Sequence, residues 1–309
     1  MSRVLVVGDL VTDVLAGYTG ALLAGSDTPA RIRLTGGGSA ANTAAWLATT
    51  GRPVTFVGVT GADPAGAELV AALCAGGVDC AVRRAGGAAT GTVVVLSTPA
   101  ERTMLFDRGA NALLAPADID AALAGAPGAV HLHLSGYALF DPGTRPAARY
   151  ALRAAAAAGL STSVDAASAG PLARAGAAAF RDWVAGTGVL LANEDEARVL
   201  TGTGPGTLVP PYRLLPPAGQ PPVPGDRAGV VLKRGAAGAA WAGRDGTAAE
   251  VPAEPVPVVD PTGAGDAFAA GFLHAWLAAA GPVDALRAGT RLGAAAVARA
   301  GARPGPVAQ

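Results

Sequence analysis

The sequence is short of several things that a chain of 309 residues commonly carries. Cysteine occurs twice, as Cys74 and Cys80. That is too few for a disulfide framework, and the spacing is not that of a metal or redox pair, so two free thiols in a reducing cytoplasm are expected. Lysine occurs once, as Lys233, and 23 basic residues face 23 acidic ones. With no net charge and no basic stripe, neither a nucleic-acid partner nor a membrane partner is expected. Apolar stretches are interrupted by Arg, Gly or Asp within about 18 residues, too soon for a membrane span. The start of the chain lacks the charged end, apolar core and cleavage site of a secretory leader. Charged residues are only 15% against 51% hydrophobic, which excludes a disordered chain. The 44 glycines and 24 prolines follow no G-X-Y period, which excludes collagen.

What is present is an alternation. Short β-branched runs lie at Val4–Val7, Val54–Val57, Val93–Leu96, Val130–Leu134, Thr162–Val164, Val189–Leu191 and Val230–Leu232. Alanine-rich helical runs lie at Ala40–Thr49, Ala65–Ala75, Pro116–Ala124, Arg145–Ala158, Glu194–Leu200, Asp266–Ala279 and Val283–Ala300. This order predicts an α/β protein with a mostly parallel central sheet covered by helices on both faces. Ala30–Leu34 and Gly91–Phe106 read as strands without intervening helices. They predict a small antiparallel β-sheet lid from segments at about 14–35 and 88–108, within one domain over 1–309. The proline-rich stretch Gly202–Arg227 predicts an irregular surface excursion.

Five segments carry candidate chemistry. In Asp260-Pro261-Thr262-Gly263-Ala264-Gly265-Asp266, a strand end and a tight small-residue turn lead into a helix. Backbone N–H groups at such a helix start form an anion site. Asp266 there is either a helix cap or a base that takes a proton from a hydroxyl attacking a bound phosphate. In Gly36-Gly37-Gly38-Ser39-Ala40-Ala41-Asn42, three glycines precede a helix, and Asn42 offers donor and acceptor to a polyol. Asp13 follows the first strand, at the end of a parallel sheet where ligands bind. Asn193 and Glu196 form either a helix capping box or a polar pair facing hydrated Mg²⁺. Lys233, Gly235 and Gly238 follow a further strand in a turn fit to border a base. Arg108 and Asn111 follow the lid ribbon and are candidates to reach substrate. His131 and His133 alternate on one strand, and no third ligand is spaced to complete a metal site, so both are read as structural. The dinucleotide fingerprint and the nucleotide P-loop are both absent.

Taken together, these segments resemble the ribokinase-like, phosphofructokinase-B type, carbohydrate kinases. The resemblance runs over essentially the whole chain, with its anchors at residues 36–42 and 260–266. It implies an ATP-dependent transfer of the γ-phosphoryl group to a hydroxymethyl of a sugar or sugar derivative, or of a nucleoside. It implies Asp266 as general base and the backbone of Gly263, Ala264 and Gly265 as anion hole. Asp13, Gly37, Gly38 and Asn42 would hold substrate hydroxyls. Asn193, Glu196, Lys233, Gly235, Gly238 and Thr262 would face the nucleotide, and Glu196 would reach Mg²⁺ through water. Asp260 would border a monovalent cation such as K⁺. The lid would also build a homodimer. One departure bears on the substrate: the family's Asp-Pro-Asn strand end stands here as Asp165-Ala166-Ala167. The other class considered is a non-catalytic ligand-binding protein on the same scaffold.

Overall fold

The protein is described by a computed structural model covering residues 2–98, 102–216 and 227–305. Nine strands form one sheet. Their spatial order is β13 (Ala248–Val251), β12 (Ala239–Gly243), β11 (Gly229–Lys233), β10 (Val189–Asn193), β9 (Ser161–Asp165), β8 (Ala129–Ser135), β1 (Arg3–Val7), β4 (Val54–Gly61) and β5 (Asp79–Ala85). Pairing is parallel from β11 to β5, and β12 and β13 close one edge antiparallel. The helices are α1 (Ser39–Ala48), α2 (Pro64–Ala75), α3 (Pro116–Gly125), α4 (Tyr137–Phe140), α5 (Arg145–Ala157), α6 (Ala169–Ala175), α7 (Ala177–Trp183), α8 (Glu194–Thr201), α9 (Ala264–Trp276) and α10 (Pro282–Val297).

The strand period of two explains the layering. Along β1, Val4 and Val6 enter a core with α1 and α9, while Leu5 and Val7 enter the opposite core with α3 and α5. Both faces are buried, so β1 past Arg3 is a continuous apolar run, and β4, though it carries Thr55 and Thr60, is buried along its whole length rather than alternating. Helices α1 and α9 pack against each other, and their alanines let the backbones approach. That contact sets the first turns of both helices side by side.

A second sheet has the order β3 (Arg31–Gly37), β2 (Val11–Gly17), β6 (Gly91–Ser97) and β7 (Arg102–Asp107). Its outer pairs are antiparallel, but β2 and β6 run parallel, which corrects the expectation of a wholly antiparallel layer. Strand β2 follows β1 and β6 follows β5, and β1 and β5 share one direction in the large sheet. Their continuations therefore share it too. Asp13 lies inside β2 rather than in a turn just past β1. The segment Gly91–Phe106 splits into β6 and β7, with residues 99–101 outside the described residues. Of the proline-rich stretch, 217–226 lies outside them, including Pro217, Pro221 and Pro222. The part before it is anchored by buried Val209 and Leu214. No described helix is long and apolar enough to cross a membrane.

Candidate active site

Where the large sheet's strand ends meet the small sheet there is a cavity of about 400 Å³. Asp266 lies on it, on the third residue of α9. The helix starts from Gly263, whose φ of 75° is left-handed. A Cβ at Gly263 would also stand 2.5 Å from the carbonyl oxygen of Ala302, so glycine is required twice over. Asp266 makes no capping bond to its own helix. Its carboxylate instead accepts from Ser39 Oγ at 2.7 Å and from Asn42 Nδ2 at 2.9 Å, both on α1. Burial pushes this carboxyl up to about 6, against the two donated hydrogen bonds and the nearby Lys233 ammonium, which favour the ionised form; Asp165 adds to the rise.

The turn before α9 is held from behind. Asp260 Oδ1 accepts the N–H of Thr262 at 2.9 Å and the Thr262 hydroxyl, while Oδ2 accepts the N–H of Gly301 at 3.0 Å. Thr262, Gly263, Ala264 and Gly265 all line the cavity. The amide of Ala264 closes a turn onto the Pro261 carbonyl at 3.3 Å. The amides that follow belong to the helix start, where N–H groups have no partner four residues back.

The three glycines at 36–38 make room for the protein's own atoms. A Cβ on Gly36 would lie 2.2 Å from Arg303 Nη1, one on Gly37 2.2 Å from Asp13 Oδ1, and one on Gly38 2.2 Å from the Asp9 carbonyl oxygen. Asp13 and Gly38 line the cavity, together with Asn42. Arg303 donates from Nη2 to the Gly37 carbonyl at 2.7 Å and from Nε to Asn42 Oδ1 at 3.2 Å.

Lys233 lies at the end of β11 and donates to Asp165 Oδ2 at 2.5 Å. Its ammonium would stand 3.3 Å from a Cβ on Gly265, so the chain's one lysine faces the turn before Asp266. Glu196 is buried, and Asn193 and Glu196 form a complete capping box: Glu196 N–H to Asn193 Oδ1 at 2.9 Å, and the Asn193 backbone and side-chain N–H groups to Glu196 at 2.8 Å each. Burial pushes the Glu196 carboxyl up to about 7, partly offset by Lys233. Both residues also line the cavity, so the cap and the polar pair are one arrangement. Gly235 and Gly238 are not among the cavity-lining residues. At Gly238, with φ of 92°, a Cβ would meet the Val251 carbonyl oxygen.

Arg108 lines the cavity but is fully engaged with protein. It donates to Asp9 at 2.6 and 3.1 Å, to Thr144 Oγ1 at 3.0 Å, and pairs with Asp141 at 3.1 Å. Asn111 does not line it. Its amide ties the 3₁₀ turn 109–113 to Leu10, accepting from the Leu10 N–H at 2.9 Å and donating to the Leu10 and Arg108 carbonyls at 3.0 Å each. Both residues thus brace the mouth of the cavity. His131 and His133 are buried on the Ser161 and Ser163 hydroxyls and held neutral, with burial pushing them down to about 3 and about 4.

The small sheet roofs the cavity. Asp13, Val93 and Phe106 are cross-strand neighbours on one face, and all three line it, as does Met104. Residues assigned no role of their own from sequence are Ser39, Asp165 and above all Arg303, which meets Asn42 across 261 positions of chain. No local pattern announces such a contact.

Among the described residues, no group of three or more His, Cys, Asp or Glu is arranged to hold a metal ion. Asn193, Glu196 and Asp165 on one cavity wall fit a hydrated Mg²⁺ that keeps most of its waters, rather than a protein cage.

Residues 1–308 match the family model described as pfkB family carbohydrate kinase. The chain is 32% identical over 280 residues to an ATP-dependent ribose-1-phosphate kinase of Halopiger xanaduensis, covering 89% of this chain and 85% of that protein. It is 33% identical over 298 residues to a fructokinase of Klebsiella pneumoniae, covering 93% and 88%. The fold is shared with an adenosine kinase of Anopheles gambiae, at a TM-score of 0.83 and 22% identity over 98% of both chains.

Proposed function

The chain belongs to the pfkB family of carbohydrate kinases, and on that premise we propose that it moves the γ-phosphoryl group of ATP to a hydroxymethyl of a sugar or sugar derivative, with Asp266 as general base. The observation that carries this reading is the Asp266 carboxylate itself. It leaves its own helix uncapped, is held by Ser39 and Asn42, and opens on the cavity.

The acceptor alcohol lies between Asp13, Asn42 and Asp266, under the roof of Val93, Met104 and Phe106. Asp266 takes the hydroxyl proton as the oxygen forms its bond to the γ-phosphorus, and the bond to the β–γ bridging oxygen breaks to release ADP. The amides at the start of α9 and the Lys233 ammonium stabilise the negative charge of the transferring group. Mg²⁺, when bound, would neutralise phosphate charge, and Asn193 and Glu196 are the residues that would meet its waters. Closing the roof excludes water as a competing acceptor. The monovalent-cation role of Asp260 is tested by activity in K⁺ against Na⁺ at fixed ionic strength.

A nucleoside acceptor is the second reading. The apolar roof of Val93, Met104 and Phe106 favours it, because a flat base would pack there. A panel of ribose, ribose-1-phosphate, fructose and adenosine with MgATP, read by ADP release, separates the two. Sugars turned over and adenosine refused is the expected result; the reverse overturns it.

The homodimer reading rests on the outer face of the small sheet. Leu34, Val14, Val94 and Leu105 form one row across all four strands. Leu34 is 69% exposed and Leu105 57%, with Ile32 beside them at 63%. An apolar sheet face of this kind is covered by a second copy.

A further inference from the structure

The last described turns of the chain reach the acid–base centre. The Ala302 carbonyl accepts from Trp46 Nε1 of α1 at 2.9 Å, which seats the segment against that helix. The next residue, Arg303, sends its guanidinium under Gly36 and Gly37. It is not itself among the residues lining the cavity. It touches one that is: Nε donates to Asn42 Oδ1 at 3.2 Å, and the other end of the same amide, Nδ2, donates to Asp266 Oδ2 at 2.9 Å.

A carboxamide has two nearly isosteric orientations with opposite hydrogen-bonding character. Turned over, Asn42 would present its oxygen to the Asp266 oxygens, acceptor against acceptor. A permanent cation on Oδ1 makes that orientation unfavourable, since a donor would then face the amide NH₂. We propose that Arg303 is a positioning residue that fixes the Asn42 amide with its Nδ2 toward Asp266. The absent side chain at Gly36 belongs to the same device, because a methyl group there would stand on Nη1. Burial makes the arginine costly to keep, holding it down at about 10, and Asp13 and Asp266 favour its charge. A half-buried cation with two specified hydrogen bonds at this point is consistent with a role in the site rather than in general packing.

The catalytic consequence rests on Asp266 being the base, but the geometric content is tested without any acceptor. The probe is the whole chain carrying ¹³C-carboxyl aspartate and ¹⁵N asparagine, with Asp266 assigned by D266N and Asn42 by N42A. The other charged groups around the cavity, Asp13 from β2, Asp165 from β9, Glu196 from α8 and Lys233 from β11, are left in place. In R303M the Asp266 carboxyl titrates at higher pH than in the wild type, and the Asn42 side-chain amide resonance moves. G36A, which keeps the arginine but displaces its guanidinium, reproduces both changes. R303K, which keeps a cation with poorer reach, falls between. With the best acceptor, R303M lowers kcat about tenfold or more, with KM for ATP within about twofold. A folded R303M whose Asp266 midpoint and Asn42 resonance match the wild type overturns the proposal; if R303M does not fold, G36A and R303K decide by the same criterion. Unchanged catalysis in D266N would sink the base assignment and leave the amide result standing, so the two failures are distinguishable.

Discussion

Asn42 Nδ2 donates to Asp266 Oδ2 at 2.9 Å, joining the first turns of α1 and α9 across 224 positions of chain. Much of the chemistry proposed above passes through this bond. It orients the carboxylate toward the acceptor and lowers its proton affinity against the desolvation that raises it.

The rate limb on the acid side follows from that balance. The active form of a general base is ionised, so kcat/KM rises with pH through about 6, tenfold per unit below it, and levels above. In N42A one donor to the ionised form is gone, so the limb moves to higher pH. A pH–rate profile over about 4.5–8 measures both; a limb unmoved in N42A contradicts the assignment.

Lys233 and Asp165 form a pair with side chains only 13% and 5% exposed. Lys233→Met leaves a buried carboxylate without its cation, and stability falls by about 3 kcal/mol. Loss of the ammonium also raises the Glu196 carboxyl further, because Lys233 is the larger of the influences that lower it, beside the Asn193 N–H. Urea denaturation measures the first effect, and phosphoryl transfer falls in the same variant. A stable and fully active K233M would contradict the role given to this lysine.

At Ala167 the backbone is left-handed, with φ of 68°, on the cavity wall. Alanine is strained there by about 1 kcal/mol, and Asn and Gly are not. In the Asp-Pro-Asn strand end that the resemblance implies, this is the asparagine's position. A167G and A167N are therefore expected to raise the unfolding midpoint, measured by thermal denaturation; a lower midpoint in both contradicts the strain.

The two layers were legible in the sequence to different degrees. The strands that build the buried centre, such as Val54–Val57 and Val189–Leu191, announce themselves as continuous apolar runs, because both faces are covered. The edge strands β5 and β13 carry mixed residues, as at Asp79, Arg83 and Glu250. In β13 only alternate positions, Ala249 and Val251, pack on a core, and in β5 the charged residues interrupt the run. Strand β2 was masked by Thr12 and Asp13, polar residues in a strand; Asp13 faces the cavity and Thr12 the opposite side. The anchors at 36–42 and 260–266 could be read because their glycines and acids are contiguous. Arg303 could not, since its partners are set by tertiary packing alone. For Arg108 and Asn111, residue type and neighbourhood pointed to the cavity, while their partners Asp9, Asp141 and Leu10 lie far off in sequence.

The outer face of the small sheet carries a separate expectation. Leu34→Glu together with Leu105→Glu puts charge into the apolar row and halves the particle mass in light scattering, with each chain still folded. A wild type that is monomeric at working concentration contradicts the dimer.

The most direct measurement is single-turnover phosphoryl transfer by Asp266→Asn, with MgATP and the best acceptor of the panel. Asparagine keeps the size and the contacts with α1 but cannot take the proton. The rate is expected to fall by at least about 100-fold with ATP affinity retained. A rate equal to that of the wild type would contradict the account at its centre.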